Sequence, residues 1–353
     1  MSEPVFLAAM GAVTPIGRDA WSSAAAVRAG VSGFGEHPYM VDTAGNPMRV
    51  AAAPWIDIDL QGSDRIAALL VPALQQALAP LADAADSETA VALALGLPSA
   101  RPGLPSSLAW DLRHRVAVAF PNWFSSIAIL ETGHAAPLVG LQAAMRKIAE
   151  GAFDACIIAG VESLISPETL EWLEQSDQFH GAGSLNNAWG FIPGEAAGAV
   201  LVATEQVCRR LGVTPMARVL GVGRAHEPKA MKTATVCVGE GLTAAFREAL
   251  SALPAGSQVT DVYCDMNGEP YRADEFGFAC LRTKEFFVSA SDFIAPADCW
   301  GDVSAASAPL GMVLSTIAAQ KAYANGRLAF VWASSERGDR GAVLLDIPVR
   351  SRA

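Results

Sequence analysis

The chain has 353 residues, of which 52% are hydrophobic and 17% are charged, and its formal net charge is −11. A typical soluble domain is about 25% charged, so this composition predicts a large buried core spread over roughly two domain-sized units. The acidic balance excludes a nucleic-acid partner and docking on an anionic membrane, and no apolar run approaches the roughly 20 residues of a membrane span.

Two kinds of apolar segment alternate along the chain. Short Val-, Ala-, Ile- and Leu-rich runs bounded by Gly or Pro predict buried strands at Val5–Val13, Thr89–Leu97, Asp154–Val161, Ala197–Ala203, Asp261–Asp265, Leu328–Ala333 and Gly341–Ile347. Ala- and Leu-rich stretches predict helices at Arg18–Ala29, Ser63–Leu78, Ala135–Glu150, Thr204–Leu211, Gly241–Ala252 and Ala306–Asn325. Because the strands are continuously apolar and alternate with helices, we expect sheets that are covered on both faces.

Two of the predicted helices, Ala135–Glu150 and Ala306–Asn325, carry small apolar residues nearly all round. Such helices are usually buried on all sides, which predicts a layered structure with these helices between two sheets. A turn near Gly212–Arg218 divides the chain into two halves, residues 1–211 and 212–353. The segments 98–107 and 177–189 are rich in loop-forming residues and are predicted to lie at the surface or at the rim of a site.

The six cysteines are scattered without a CxxC pair, which is typical of free thiols in a reducing cytoplasm and not of disulfides or a zinc site. They are Cys156, Cys208, Cys237, Cys264, Cys280 and Cys299. The N-terminal segment has no basic region ahead of its apolar residues, so we expect no signal peptide and a cytoplasmic protein. Isolated histidines show no metal-ligand spacing, namely His37, His114, His180 and His226. We therefore expect no metal and no cofactor.

Several motifs together resemble the β-ketoacyl-acyl-carrier-protein synthase family, whose members have the thiolase fold. They are Met10-Gly-Ala-Val-Thr-Pro-Ile-Gly17, Arg28-Ala-Gly-Val-Ser-Gly33, Ser63-Asp-Arg-Ile-Ala67 and Gly190-Phe-Ile-Pro-Gly-Glu-Ala-Ala-Gly198, with the segment from Ile129 to Glu168 between the last two. The resemblance covers nearly the whole chain. It implies an α/β fold of the thiolase-like αβαβα type, a five-layer sandwich of two similar halves.

The positions that match the family's catalytic motifs hold other residues in this chain. The family's cysteine motif, Asp-Thr-Ala-Cys-Ser-Ser, matches Glu131-Thr-Gly-His-Ala-Ala136, which places His134 at the nucleophile. The two family histidines match Asn267, in Asp265-Met-Asn-Gly-Glu269, and Asp302, directly after Gly301. The family's usual lysine is replaced by Ala297, and its Phe-Gly-Gly-Thr-Asn turn is absent from 334–341. The candidate site residues are therefore His134, Asn267 and Asp302.

These replacements remove the chemistry that condensation needs. Condensation uses a thiolate to carry the acyl chain and two donors to stabilise an enolate. We expect His134, beside a helix N-terminus, to be neutral and to be a poor acyl carrier. An ionised Asp302 would repel the enolate, although Asn267 could still donate a hydrogen bond. Losing one oxyanion donor costs roughly 10²–10³ in rate. Cys264 and Cys299 lie near two of these positions, but buried cysteines commonly serve as small apolar residues.

Two hypotheses for the function follow. In the first, the chain does not condense acyl groups and binds another protein as a partner subunit, adaptor or chaperone. A partner subunit would resemble the family's chain-length-factor relatives, which lack the cysteine. An adaptor or chaperone would resemble the degenerate relatives that occur beside type VI secretion effector genes. In the second, the chain is an enzyme that acts on acyl thioesters with His134 and Asp302 as a general-base pair. The resemblance also implies a homodimer through the sheet edge before His134, and an acyl carrier protein is a further candidate partner.

Overall fold

The structure is a computed structural model that describes residues 3–82, 89–229, 231 and 235–349. The strands are β1 (Val5–Val13), β2 (Gly35–Val41), β3 (Pro47–Val50), β4 (Val91–Gly96), β5 (Phe124–Leu130), β6 (Ala155–Ser163), β7 (Glu195–Thr204), β8 (Ala217–His226), β9 (Asp261–Cys264), β10 (Leu328–Ser334) and β11 (Asp339–Asp346). The helices are α1 (Ala20–Arg28), α2 (Gly62–Ala82), α3 (Leu108–Ala119), α4 (Ala136–Ala149), α5 (Pro167–Gln175), α6 (Glu205–Arg210), α7 (Glu240–Leu250), α8 (Pro270–Thr283), α9 (Ala297–Trp300) and α10 (Ser307–Gln320).

Within the described residues the main sheet has nine strands in the order β5-β4-β6-β7-β1-β8-β11-β10-β9. Strand β4 runs parallel to β5 and to β6, and β9 runs parallel to β10, whereas the pairs nearer the centre are antiparallel. At the centre, Val5–Leu7 of β1 pairs with Ala217–Val219 of β8. The arrangement β1-β7-β6-β4 on one side of the centre is repeated as β8-β11-β10-β9 on the other side. Strand β5 has no counterpart among the described residues.

The helices lie in three layers around the two parts of this sheet. Helices α4 and α10 each pack against strands of both parts, so they form the central layer. Helices α2 and α3 cover the outer face of the part that contains β1, and α7 and α8 cover the outer face of the other part. The layer order is therefore α, β, α, β, α, and the predicted thiolase-like five-layer sandwich is confirmed.

The two central helices differ in how completely they are buried. Every residue from Ala308 to Ala319 of α10 is buried, as its uniform apolar sequence predicts. The prediction that the helix at Ala135–Glu150 is buried on all sides is wrong for its second half. There Ala143, Arg146 and Lys147 are exposed, so one face of this part of α4 reaches solvent.

The sequence patterns predicted the buried strands and missed strands that are partly exposed. Strands β5 and β8 contain Ser, Gly and Arg and have exposed residues on one or both faces, so no continuous apolar run marks them. Strand β8 begins at Ala217, inside the segment 212–218 that was predicted to be a turn. The predicted boundary between residues 211 and 212 falls between α6 and β8, and the division of the chain into two domains stays a prediction.

Helix α2 is long and apolar enough to cross a membrane by length and composition alone. Half of its most apolar window is buried inside the protein, and α2 packs against β1, β6 and β7 of the main sheet. Its buried residues include Ile66, Leu70 and Leu74. These contacts account for its apolar sequence as that of a helix covering a sheet.

Candidate active site

His134 lies at the entrance to the central layer, in the turn between β5 and α4. Gly133 adopts a left-handed conformation with φ of 77° and donates its N–H to the carbonyl of Leu97 at 3.0 Å. A residue with a side chain is disfavoured at this φ, so glycine allows the sharp turn. Pro137 in the first turn of α4 has the backbone angle that a helix start requires. His134 itself is buried.

Asp302 and Asn267 come from the other half of the chain and lie against His134. Asp302 follows Gly301, which has φ of 75° and approaches the carbonyl of Ile192 so closely that a Cβ there would lie 2.5 Å away. Nε2 of His134 lies 3.1 Å from Oδ1 and 3.2 Å from Oδ2 of Asp302. Nδ2 of Asn267, just after β9, donates to Oδ2 of Asp302 at 2.6 Å. The structure therefore brings together all three residues predicted from the family motifs.

A buried arginine that the sequence analysis did not identify completes this cluster. Arg272, in the first turn of α8, donates to Asp265 at 3.0 Å, to Glu269 at 3.2 Å and to the carbonyl of Ser334 at 2.9 Å. Its NH2 lies 3.2 Å from Nε2 of His134. A buried charge requires paired partners, and here two carboxylates supply them. Nothing local in the sequence distinguishes this arginine from one at the surface.

The pKa values in the cluster point to a charged pair. Burial alone would lower the pKa of His134, but the Asp302 carboxylate outweighs burial and raises it above its usual value. Burial alone would raise the pKa of Asp302, but His134 and Arg272, together with the N–H of Ser304, hold that pKa well below its usual range. Nε2 of His134 faces both the Asp302 carboxylate and the Arg272 guanidinium, and the charge of Arg272 opposes protonation of His134.

The expectation that His134 is kept neutral by the start of α4 is therefore wrong. A helix end contributes about half an elementary charge, whereas Asp302 places a full negative charge 3.1 Å from the ring. The carboxylate outweighs the helix dipole. The lowered pKa of Asp302 means that its carboxyl group is ionised near neutral pH.

A cavity of about 170 Å³ opens onto this cluster. His134 and Asp302 line it, but Asn267 does not. Four charged residues also line the cavity, namely Arg101, Glu162, Glu336 and Arg337. Apolar side chains contribute as well, those of Leu164, Trp172, Leu173 and Phe191. The cavity is therefore open and its lining is a mixture of charged and apolar side chains.

None of the six cysteines lines this cavity. Burial raises the pKa of every one of them, whereas a nucleophilic cysteine needs a lowered pKa. Cys264 and Cys299, which flank the candidate site in sequence, are both buried. The chain therefore offers no thiol with a lowered pKa.

One group of side chains in the described part of the chain has metal-ligating atoms within 4.8 Å of one another, namely Glu227, Cys237 and Glu275. Glu227 accepts the N–H of Gly241 at the start of α7, and Glu275 accepts from Arg340 at 2.6 Å. Because both carboxylates already have these partners and burial raises the pKa of Cys237 to about 11, we assign no metal to this group.

Comparison with known proteins agrees with the fold. Residues 125–207, from β5 to α6, match the sequence model of the β-ketoacyl synthase N-terminal domain. No curated protein matches the chain. A chain in the structure of a type II PKS acyl-carrier protein in complex with its ketosynthase is 14% identical with a TM-score of 0.81, covering 98% of this chain and 100% of that one.

Two further solved structures are similar over their whole length. The ishigamide ketosynthase/chain length factor is 14% identical with a TM-score of 0.79, covering 98% of this chain and 100% of its own. A β-ketoacyl synthase from Burkholderia phymatum STM815 is 15% identical with a TM-score of 0.75, covering 99% and 100%. The resemblance is therefore confirmed: the chain has the thiolase-like fold of the ketosynthases, and its residues 125–207 match the N-terminal domain of the β-ketoacyl synthase family.

Proposed function

We propose that this ketosynthase-like protein does not condense acyl groups and acts instead as a protein-binding partner subunit, adaptor or chaperone. The observation that carries the proposal is the closed hydrogen-bonded cluster of His134, Asn267 and Asp302. Nδ2 of Asn267 donates to Asp302 at 2.6 Å, and Nε2 of His134 lies 3.1 Å from the same carboxylate. An ionised Asp302 at this place would raise the energy of an enolate, which condensation must stabilise.

The raised pKa of every thiol supports the same proposal, since the chain has no other residue suited to carry an acyl thioester. The test is incubation of the purified chain with acyl-acyl-carrier-protein and acyl-coenzyme A, with intact-mass detection of a thioester adduct and of condensation product. We expect no thioester adduct and no carbon–carbon bond formation. Condensation abolished by His134→Ala would overturn the proposal.

The surface beside β5 supports a protein partner. Strand β5 is the last strand of the sheet, pairs only with β4 among the described residues, and exposes Ser125, Ser126 and Ala128. An unpaired edge strand is a template for pairing with another chain. On neighbouring α3, Trp110 and Val118 are 68% and 67% exposed on one face of the helix, and exposed apolar faces of this kind mark interaction sites.

We propose a homodimer through this β5 edge, and the likeness to a ketosynthase/chain length factor keeps pairing with a related chain as the alternative. The test is Ala128→Arg, on β5, measured by light scattering coupled to gel filtration. A charged side chain at the edge should convert a dimer to a monomer. The matched control is Leu281→Arg on α8, at the other end of the sandwich, which should leave the mass unchanged. A mass unaffected by Ala128→Arg would overturn an interface at β5.

The identity of the other partners is proposed on resemblance. Degenerate relatives beside type VI secretion effector genes support an adaptor or chaperone for such an effector, and a similar structure containing an acyl-carrier protein supports that carrier as a second partner. Six unpaired cysteines support a cytoplasmic location. Co-purification of the tagged chain with one partner, lost in a surface variant and kept in His134→Ala, is the expected result. Loss of the partner in His134→Ala alone would point instead to the cavity.

A second candidate function is hydrolysis of acyl thioesters, and one observation favours it. The ring nitrogen Nδ1 of His134 has no hydrogen-bond partner among the described residues and is not sealed from solvent, and His134 lines the open cavity. With Asp302 held at Nε2, Nδ1 is placed to accept a proton from a group in the cavity. Hydrolysis of acyl-coenzyme A that disappears in His134→Ala would support this candidate.

A further inference from the structure

Ser304 has an unusual backbone, and its hydroxyl belongs to a residue that lines the same cavity. Its φ of 38° lies in the left-handed region, which residues other than glycine rarely adopt and which is often found at functional sites. The residue is buried, yet its Oγ has no hydrogen-bond partner among the described residues, is not sealed from solvent and lines the cavity. The chain thus maintains a strained turn that presents a hydroxyl to the cavity.

Asp302 fixes the position of Ser304 relative to His134. Its Oδ1 accepts the backbone N–H of Ser304 at 2.8 Å and lies 3.1 Å from Nε2 of His134. A Cβ built on Gly133, the residue next to His134, would lie 3.5 Å from Oγ of Ser304. One carboxylate therefore holds the serine backbone and the imidazole side by side. The described residues show no hydrogen bond between the Ser304 hydroxyl and Nδ1 of His134. Rotation about χ1 of Ser304 changes the distance between these two atoms, and catalytic hydrogen bonds are often long in the absence of substrate.

The two other hydroxyls near Gly133 are less suited to react. Oγ of Ser335 accepts the backbone N–H of Ala135 at 2.9 Å, which ties it to the start of α4. Ser99 lies in the loop 98–107 with ordinary backbone angles and no contact to Asp302. Only Ser304 combines a strained turn, a free hydroxyl and a bond to the same carboxylate as His134. It also lies in the 3₁₀ turn (Ser304–Ala306) that leads into α10.

We propose that Ser304 is a nucleophile for esters and thioesters of short acyl groups, with His134 as its base and Asp302 as the residue that orients His134. This inference rests on the second candidate function and assigns covalent catalysis to it in place of attack by water. The order of roles is that of a Ser-His-Asp triad, with Asp302 at Nε2 and the serine at Nδ1. The cavity of about 170 Å³, which Ser304 and His134 both line, has room for a short acyl group.

The reaction balances with water as its co-reactant. Oγ of Ser304 attacks the carbonyl carbon while its proton passes to Nδ1 of His134, and the bond between that carbon and the alcohol oxygen or thiol sulfur breaks. The leaving group takes the proton from Nδ1, which leaves an acyl ester on Ser304. Water then attacks this ester, gives a proton to Nδ1 and releases the carboxylic acid, and Oγ regains its proton. Because Nδ1 must be unprotonated, the rate should increase with pH through the raised pKa of His134.

The test is labelling of the full-length chain with a short-chain alkyl fluorophosphonate, which forms an Oγ–P bond and releases fluoride. Peptide mapping should place the adduct on Ser304. The labelling rate should fall by at least about 10³-fold in Ser304→Ala and about 10²-fold in His134→Gln. The matched control, Ser307→Ala, lies one turn further along outside the cavity and should label like the wild type. No adduct, or an adduct at another residue that persists in Ser304→Ala, would overturn the proposal.

A second variant keeps the test independent of how well the phosphonate fits. In Ser304→Cys, alkylation of residue 304 by iodoacetamide should be faster than that of the six native thiols and should slow at least tenfold when His134→Gln is added. Equal rates with and without His134→Gln would overturn the role of His134 as base. Hydrolysis of acyl-coenzyme A that survives in Ser304→Ala would refute this inference and leave the second candidate function standing. Labelling of Ser304 does not depend on any partner protein.

Discussion

Replacement of Arg272 by methionine should be one of the most destabilising single changes in the described part of the chain. Arg272 is 1% exposed and is hydrogen-bonded to the buried carboxylates of Asp265 and Glu269. Arg272→Met keeps much of the side-chain volume and removes the charge, so both carboxylates remain buried without their cation. Breaking a buried ion pair by removing one partner costs about 3–5 kcal/mol.

The pH dependence of this loss distinguishes charge from packing. Without Arg272, the ionised carboxylates around it stay buried without a cation. This cost falls when the solution is acidic enough to protonate carboxyl groups. The destabilisation by Arg272→Met should therefore be larger at pH 8 than at pH 5, whereas a loss due to packing alone would be the same at both.

The measurement is guanidinium-induced unfolding followed by tryptophan fluorescence at both pH values. The matched control is Arg115→Met, which removes an arginine from the exposed pair with Asp64 at 2.7 Å and should cost less than about 1 kcal/mol. A cost for Arg272→Met below about 1 kcal/mol at pH 8, or one equal to that of the control, would refute the interpretation of Arg272 as the cation that neutralises the site.

Two further predictions concern the same region. Because Asp302 raises the pKa of His134, the ion pair should stabilise the fold below about pH 6.5 and lose this contribution as the pH rises through the folded pKa. The difference in unfolding free energy between the wild type and His134→Gln should therefore shrink as the pH rises above about 6.5. A difference that stays constant with pH would contradict this prediction. A Cβ on Gly160 of β6 would lie 1.9 Å from the carbonyl of Ala305, so Gly160→Ala should destabilise by about 1–3 kcal/mol or more. The control Gly277→Ala, in α8 with no atom within 4 Å of the new Cβ, should stabilise by about 0.4–1 kcal/mol, and equal effects would disprove the close approach.

Continuous apolar runs predicted β1, β4, β6, β7, β9, β10 and β11 to within a few residues. These strands are buried on both faces, so burial alone dictates their composition. The uniform apolar sequence of α10 likewise predicted its place in the centre. Edge strand β5 and the helices α3, α5 and α8 were missed because each has an exposed face, and their polar residues hide the periodic signal.

The motif positions alone were enough to predict that His134, Asn267 and Asp302 lie together, since residues at matching positions of one fold occupy the same place. The protonation of His134 could not be predicted in this way. The sequence places His134 beside a helix start, which favours the neutral ring, and only the 3.1 Å contact across 168 residues reveals the carboxylate that outweighs it.

The sequence by itself thus determined the layers of the sandwich and pointed to His134, Asn267 and Asp302 as candidate site residues, because both follow from residue types at positions along one chain. Only the tertiary structure decided that Arg272 is buried, that the cavity is open, and that Ser304 stands beside His134 in a strained turn. Burial, charge pairing and backbone angle at these positions depend on contacts between the two halves of the chain, and residues so far apart in sequence carry no local pattern that records them.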